Sequence, residues 1–203
     1  MRASGSPTVQ TLTVFVVVFA LQSLVSLVAP SVAVGLFVLA PPLAVHPWTL
    51  PLSVYAHAST LHLLSNSVAL LFVGLLVERV TTTTRFHVFF ASVGMTAAVA
   101  QVWIGDLFGP PTAVLGASGA VFGLFGYLLA ANPVTDAVLG RIELSRGAQV
   151  ALVVVFALAV TLTTAAPGVA LIAHFAGLAL GLVAGRFHIL RVETQGTSNR
   201  RAV

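Results

Sequence analysis

Apolar runs of membrane length recur along almost the whole of this 203-residue chain and leave few charges with which to solvate a water-facing surface. A helix needs about 20 predominantly apolar residues to cross roughly 30 Å of hydrocarbon. Stretches at 11–29, 59–77, 84–103, 114–131, 148–166 and 168–187 meet that requirement. Hydrophobic residues make up 58% of the chain and charged residues 7%, against about 45–50% and 25% in soluble domains. Lipid is therefore the solvent of the folded chain, and the predicted fold class is an all-α polytopic membrane protein with six transmembrane helices.

The net charge of +4 comes from nine arginines, with no lysine, against five acidic residues. In so apolar a chain this excess is assigned to anionic lipid headgroups and not to nucleic acid. Without cysteine there is neither a disulfide nor a thiolate to consider. Hydrophobicity continues to residue 190, so no cleavable leader with a soluble body behind it is expected.

Ser31 to Val45 is apolar but short, and it contains Pro41-Pro42. With Pro47-Trp48 it is read as part of an outer, partly interfacial loop over 31–58. Charge placement decides this. With a cytoplasmic N-terminus and six spans, Arg2, Arg79, Arg85, Arg141, Arg146, Arg186, Arg191, Arg200 and Arg201 all fall on the cytoplasmic side, as the positive-inside rule requires. A seventh span at 31–45 would leave only Arg2 there. The expected organisation is a cytoplasmic tail at 1–10, one membrane domain at 11–190 and a cytoplasmic tail at 191–203, in the cell membrane. Ala165-Ala166-Pro167-Gly168 is expected to turn the last two spans into a tight antiparallel pair.

This topology brings Ser118, His174, His62 and Asn66 to one layer, roughly 10 Å below the outer surface at about 1.5 Å per residue. His62 and Asn66, four apart, share a helix face. Intramembrane polar groups are costly and turn inward to a partner or a wet cavity. Gly177, Gly181 and Gly185 repeat every four residues on roughly the face of His174, and the fourth span carries Gly116, Gly119, Gly123 and Gly126. Such stripes permit close helix contact, which a serine–imidazole hydrogen bond would need. Phe122, one turn beyond Ser118, is placed to wall the histidine. Each feature has a plainer reading: a lone membrane serine usually bonds its i−4 carbonyl, and a glycine stripe usually only packs. The shared depth of the four polar residues favours a site. His87 and His188 lie at the other end of their spans, Tyr55, Tyr127 and Trp103 read as packing or interfacial anchors, and Glu78 with Arg79 is expected to make a helix-end contact. Asp106 is placed in the Ile104–Pro111 connection, outside the membrane and away from the site.

The motifs His57-Ala58-Ser59-Thr60-Leu61-His62-Leu63-Leu64-Ser65-Asn66, Gly116-Ala117-Ser118-Gly119 and Ala173-His174-Phe175-Ala176-Gly177, with Gly181 behind, resemble those of rhomboid intramembrane serine proteases of the prokaryotic six-span type. The resemblance covers most of residues 50–187. It implies a rhomboid-like bundle in which Ser118 is the nucleophile and His174 its general base. It also implies an oxyanion hole formed by His62, Asn66 and the backbone N–H of Ser118. Gly116, Gly119, Phe122, Gly177 and Gly181 would shape the site, His57 would be structural, and Glu78 occupies a common acidic position of the family. Two departures stand out. Phe122 replaces a tyrosine of the best-studied bacterial members, and Trp48 lacks the arginine neighbour often found in the first loop.

The implied activity is hydrolysis of peptide bonds in or near transmembrane helices of single-span or polytopic membrane-protein substrates through a Ser-His dyad. No cofactor, metal or nucleic acid is expected, and the site would open to the extracytoplasmic side. The alternative is an inactive rhomboid-like protein that binds membrane helices. A transporter would call for inverted repeats and discontinuous helices, which the sequence does not display. A haem or metal site would have histidines without an accompanying carboxylate and would leave Ser118 unused.

Overall fold

The computed structural model describes residues 5–108, 112–132, 145–166 and 168–192. Eight helices are found among them: α1 Pro7–Val28, α2 Pro30–Phe37, α3 Thr49–Tyr55, α4 Thr60–Val77, α5 Thr83–Phe108, α6 Ser118–Ala130, α7 Arg146–Leu162 and α8 Leu171–Arg186. The chain is an all-α, multi-span membrane protein. Among the described residues α1, α4 and α5 are long and apolar enough to cross a bilayer, while α6, α7 and α8 are shorter apolar helices. The end of the C-terminal tail, Arg141 and Pro167 lie outside the described residues.

Side-chain exposure follows the solvent. Leu27 on α1, Phe72 on α4, Leu107 on α5 and Val155 on α7 are exposed, as side chains facing hydrocarbon should be. Inside, Phe15, Leu70, Phe86, Phe90, Leu124 and Tyr127 form one buried cluster drawn from α1, α4, α5 and α6. Trp103 is 65% exposed and anchors nothing internal, whereas Tyr127 is a core residue at 1%.

The expected outer loop contains more helix than its sequence suggests. Pro30 at the first helical position starts α2, where its missing N–H costs nothing and its fixed φ suits a helix. At eight residues α2 is about 12 Å long, far too short to cross. Leu39 then pairs with Val114 in an isolated antiparallel bridge, N–H to carbonyl in both directions at 2.9 and 2.8 Å. Trp48, without an arginine beside it, donates its indole N–H to the Gly35 carbonyl at 3.0 Å and packs on His46.

That bridge corrects the expected start of the fourth span. Residues 114–117 are not helical, because Val114 is drawn into the bridge and Gly116 adopts φ +131°, a conformation open to glycine alone at little cost. Helix α6 therefore begins at Ser118, which is its first residue and does not lie a turn inside it. Two other boundaries move. Helix α5 runs on to Phe108, so Asp106 is helical and caps the following chain by accepting the Thr112 N–H at 2.7 Å. The connection from α7 to α8 runs from Thr163 to Ala170, longer than a four-residue turn.

At the opposite end Glu78 makes the expected helix-end contact. Its Oε2 accepts the Ser6 hydroxyl at 2.6 Å and the Thr8 N–H at 3.2 Å, placing a carboxylate on the positive end of α1. Replacing Glu78 by alanine should strand these buried donors and cost about 1–3 kcal/mol, read as a lower unfolding temperature in detergent. Glu78→Gln, which keeps an acceptor oxygen, should lose less.

Candidate active site

Helices α6 and α8 approach until their backbones touch. A Cβ at position 177 would fall on the Gly119 carbonyl, one at 181 on the Gly123 carbonyl, and one at 185 on the backbone of Tyr127. Both glycine stripes are thus used, in register, turn by turn. This pairing sets what faces what at the N-terminal ends. Phe122, one turn after Ser118, stacks on the His174 ring with centroids 4.4 Å apart and planes 20° from parallel. Next to Ser118 and His174, a Cβ on Gly119 would stand 3.4 Å from the Ala173 carbonyl. His174 itself is buried, at 8% exposure, and Ser118 is half-buried.

The imidazole edge is also fixed. Its Nδ1 lies 3.0 Å from the Thr164 hydroxyl, in the turn that follows α7. Gln101 on α5 steadies the same end of α8 by accepting the Ala173 N–H at 3.2 Å. Among the described residues no hydrogen bond joins Ser118 to His174.

His62 arrives from α4. Ser59 caps this helix, its hydroxyl accepting the His62 N–H at 3.1 Å. The His62 ring lies against Gly116, where a Cβ would stand 2.6 Å from Cε1 and 2.9 Å from Nε2. Only glycine can occupy position 116 with the histidine so placed. Gly116 is further held by its N–H, which donates to the Ser53 carbonyl at 2.8 Å. His62 Nδ1 accepts a long 3.4 Å contact from the Ala58 N–H, which leaves Nε2 as the protonated nitrogen, the one nearer Gly116. Asn66 is buried and donates one amide hydrogen to the His62 carbonyl at 2.9 Å.

His57 is fully buried between the rings of Phe15 and His62, at 4.8 and 5.3 Å. Its backbone N–H donates to the Gln22 side-chain oxygen on α1 at 3.2 Å. Desolvation, reinforced by the neighbouring His62, lowers its pKa to about 4. It is a neutral packing group that ties α1 to the start of α4.

Residues 44–191 match the model of the rhomboid domain, well over half of the chain. This chain belongs to the rhomboid family. It is also similar to the rhomboid protease GluP of Bacillus subtilis (strain 168), 39% identical over 83 residues that make up 40% of this chain and 15% of that protein. The chain thus matches only a small part of that relative's length.

Within this rhomboid domain Ser118, His174, Phe122, His62 and Gly116 are gathered at one end of α4, α6 and α8, with Asn66 one turn deeper. His87 and His188 are away from it, His87 bonding Gln10 on α1 at 2.8 Å. Reasoning from sequence missed Thr164 and Gln101. Gln101 could have been found as a lone amide in an apolar run. Thr164 carried a weaker signal, since it ends the run Thr161-Leu162-Thr163-Thr164, which reads simply as a helix terminus.

Proposed function

We propose that this rhomboid-family protein is an intramembrane serine endopeptidase of six spans that hydrolyses peptide bonds in or near the transmembrane helices of membrane proteins. Ser118 is its nucleophile and His174 its general base. The observation that supports the reading is the glycine-to-glycine contact of α6 and α8, with the His174 ring stacked on Phe122, the residue four positions after Ser118 on α6.

In this mechanism His174 takes the Ser118 proton as Oγ attacks the scissile carbonyl carbon. The tetrahedral intermediate collapses, the C–N bond breaks, and His174 returns the proton to the leaving amine. Water then attacks the acyl-enzyme by the same route and frees Ser118. A substrate helix must unwind at the cut, because its carbonyls are otherwise sequestered in hydrogen bonds.

The oxyanion has donors waiting. Helices α1, α4 and α7 are capped by the side chains of Ser6, Ser59 and Ser145, whereas α6 has Ala117 at its cap position and no side-chain cap. Its first-turn N–H groups, Ser118's among them, therefore keep their hydrogen-bonding capacity for a ligand. His62 Nε2–H adds a second donor beside Gly116, and Asn66 has an amide hydrogen to spare. Each well-placed donor contributes on the order of 3 kcal/mol in the transition state.

Orientation follows from the ends of the helices. Arg85, in the first turn of α5, donates to the Arg191 carbonyl at 3.0 Å, and the Val192 N–H donates to the Val80 carbonyl at 3.1 Å, so the loop after α4, the start of α5 and the chain after α8 meet on the arginine-rich side, opposite the serine. By the positive-inside rule that side is cytoplasmic and the site opens outward. At 13 residues α6 is only about 20 Å long, which keeps Ser118 below the outer surface. A serine-reactive fluorophosphonate should label the detergent-solubilised protein and fail to label Ser118→Ala. Equal labelling of the variant would remove Ser118 as nucleophile.

A further inference from the structure

We propose that Thr164 is a positioning residue for His174, holding its imidazole in the Nδ1–H tautomer so that the Nε2 lone pair is the one offered to Ser118. The inference rests on the protease reading above and adds to the dyad a third group, supplied by the α7–α8 connection.

The argument is one of counting protons. The Thr164 hydroxyl has a single hydrogen and sits between two partners, the Thr161 carbonyl at 2.7 Å and His174 Nδ1 at 3.0 Å. A carbonyl oxygen can only accept. The hydroxyl proton therefore lies on the line to Thr161, and a hydroxyl that has given its proton away can meet Nδ1 only as an acceptor. Nδ1 must then carry the hydrogen, and Nε2 is left as the free base. The reverse arrangement would set two lone pairs against each other at 2.7 Å.

The remaining neighbours of the ring leave this task to Thr164. Phe122 covers its face and constrains the plane, but an aromatic face cannot distinguish the two nitrogens. A tyrosine at 122 would carry a hydroxyl, and this chain has none there. Serine-protease triads assign the tautomer with a buried carboxylate on Nδ1. A neutral hydroxyl whose proton is committed elsewhere gives the same directional instruction without a charge to desolvate, and burying an unpaired carboxylate at this depth would be costly. The bond also links the ring to the turn that ends α7, so the base is oriented only while that turn is seated.

The test uses the full chain in proteoliposomes with a single-span model substrate. Thr164→Val, nearly isosteric but without an acceptor, should lower kcat about tenfold, the loss of one oriented hydrogen bond, with KM changed less than twofold. Thr164→Ser should retain at least half the wild-type kcat. A purely structural role would follow the side-chain methyl instead, so that Ser would fail and Val would be tolerated; that result, or wild-type kcat in Val, overturns the proposal. If Thr164→Val does not fold, Thr164→Ala against Thr164→Ser makes the same comparison, and equal kcat in the two overturns it. Ser118→Ala and His174→Ala run alongside keep the two claims separate. Cleavage abolished in both but untouched in Thr164→Val sinks only the role of Thr164. Cleavage surviving in both sinks the protease reading itself.

Discussion

His174→Ala should lose about 10⁴-fold or more of peptide-bond cleavage, while Ser118→Ala loses as much and the double variant no more than either. The size follows from the chemistry of the dyad. A serine hydroxyl is a poor nucleophile unless its proton leaves as the bond forms, and in the proposed mechanism the His174 imidazole, stacked on Phe122 and bonded to Thr164, is the base that takes it. Removing either partner disables one unit, so the losses overlap instead of adding. Both side chains act in the bond-making step of the proposed mechanism, so KM should move far less than kcat. The measurement is single-turnover cleavage of a model transmembrane substrate in proteoliposomes, with thermal unfolding of each variant as the folding control. A His174→Ala variant that cuts within tenfold of wild type would remove the histidine from the reaction.

The features legible in the sequence were those carried by composition and period. Membrane residence follows from apolar run length, and the approach of α6 to α8 from glycines recurring every four residues in α8 and every three or four in α6. Glu78 was readable as a helix-end contact because a buried-helix terminus is where an otherwise expensive carboxylate finds N–H donors. What escaped was set by chain segments meeting from afar. Val114 and Leu115 look like the start of a span, and nothing local reveals that Leu39 pairs with Val114 and unwinds the entry to α6. Helix α2 lies within the expected outer loop, because an eight-residue helix has too few turns to show a period. Thr164 depends on the end of α7 meeting His174 on α8, a tertiary event with no sequence period at all.

The unwinding before α6 and the site are connected. Had α6 continued back to Val114, the N–H groups of Ser118 and Gly119 would be spent on carbonyls of the preceding turn. By ending the helix at Ser118, the Gly116 turn leaves those donors uncommitted beside the proposed nucleophile, and the absence of a Cβ at 116 admits the His62 ring to the same spot. One glycine thus serves both the backbone and the side-chain half of the proposed oxyanion hole.

Gly177→Ala should be among the most damaging single-methyl changes in the described residues, with Gly181→Ala. Intrinsic helix propensity favours alanine by about 1 kcal/mol, which in an uncrowded helix would stabilise. Here the new Cβ would fall on the Gly119 backbone, which has no flexible side-chain end to yield. The helices must separate, and in lipid that separation is not resisted by a hydrophobic drive between helices; it forfeits the close packing that holds them together. Overpacking of this kind costs typically 1–3 kcal/mol and occasionally more, and with backbone as the obstacle the upper part of that range is expected, outweighing propensity. Gly181→Ala meets the Gly123 backbone in the same way one turn further on. Gly168→Ala is the contrast, with nothing within 4 Å of its Cβ and φ +79° as its sole penalty, about 1–2 kcal/mol for a left-handed residue. Unfolding in mixed detergent micelles should therefore place Gly177→Ala below Gly168→Ala. Only the former should also lose most cleavage at temperatures where it remains folded, because moving α8 off α6 carries His174 away from Ser118. A Gly177→Ala protein as stable and as active as wild type would show that the two helices do not meet at these glycines.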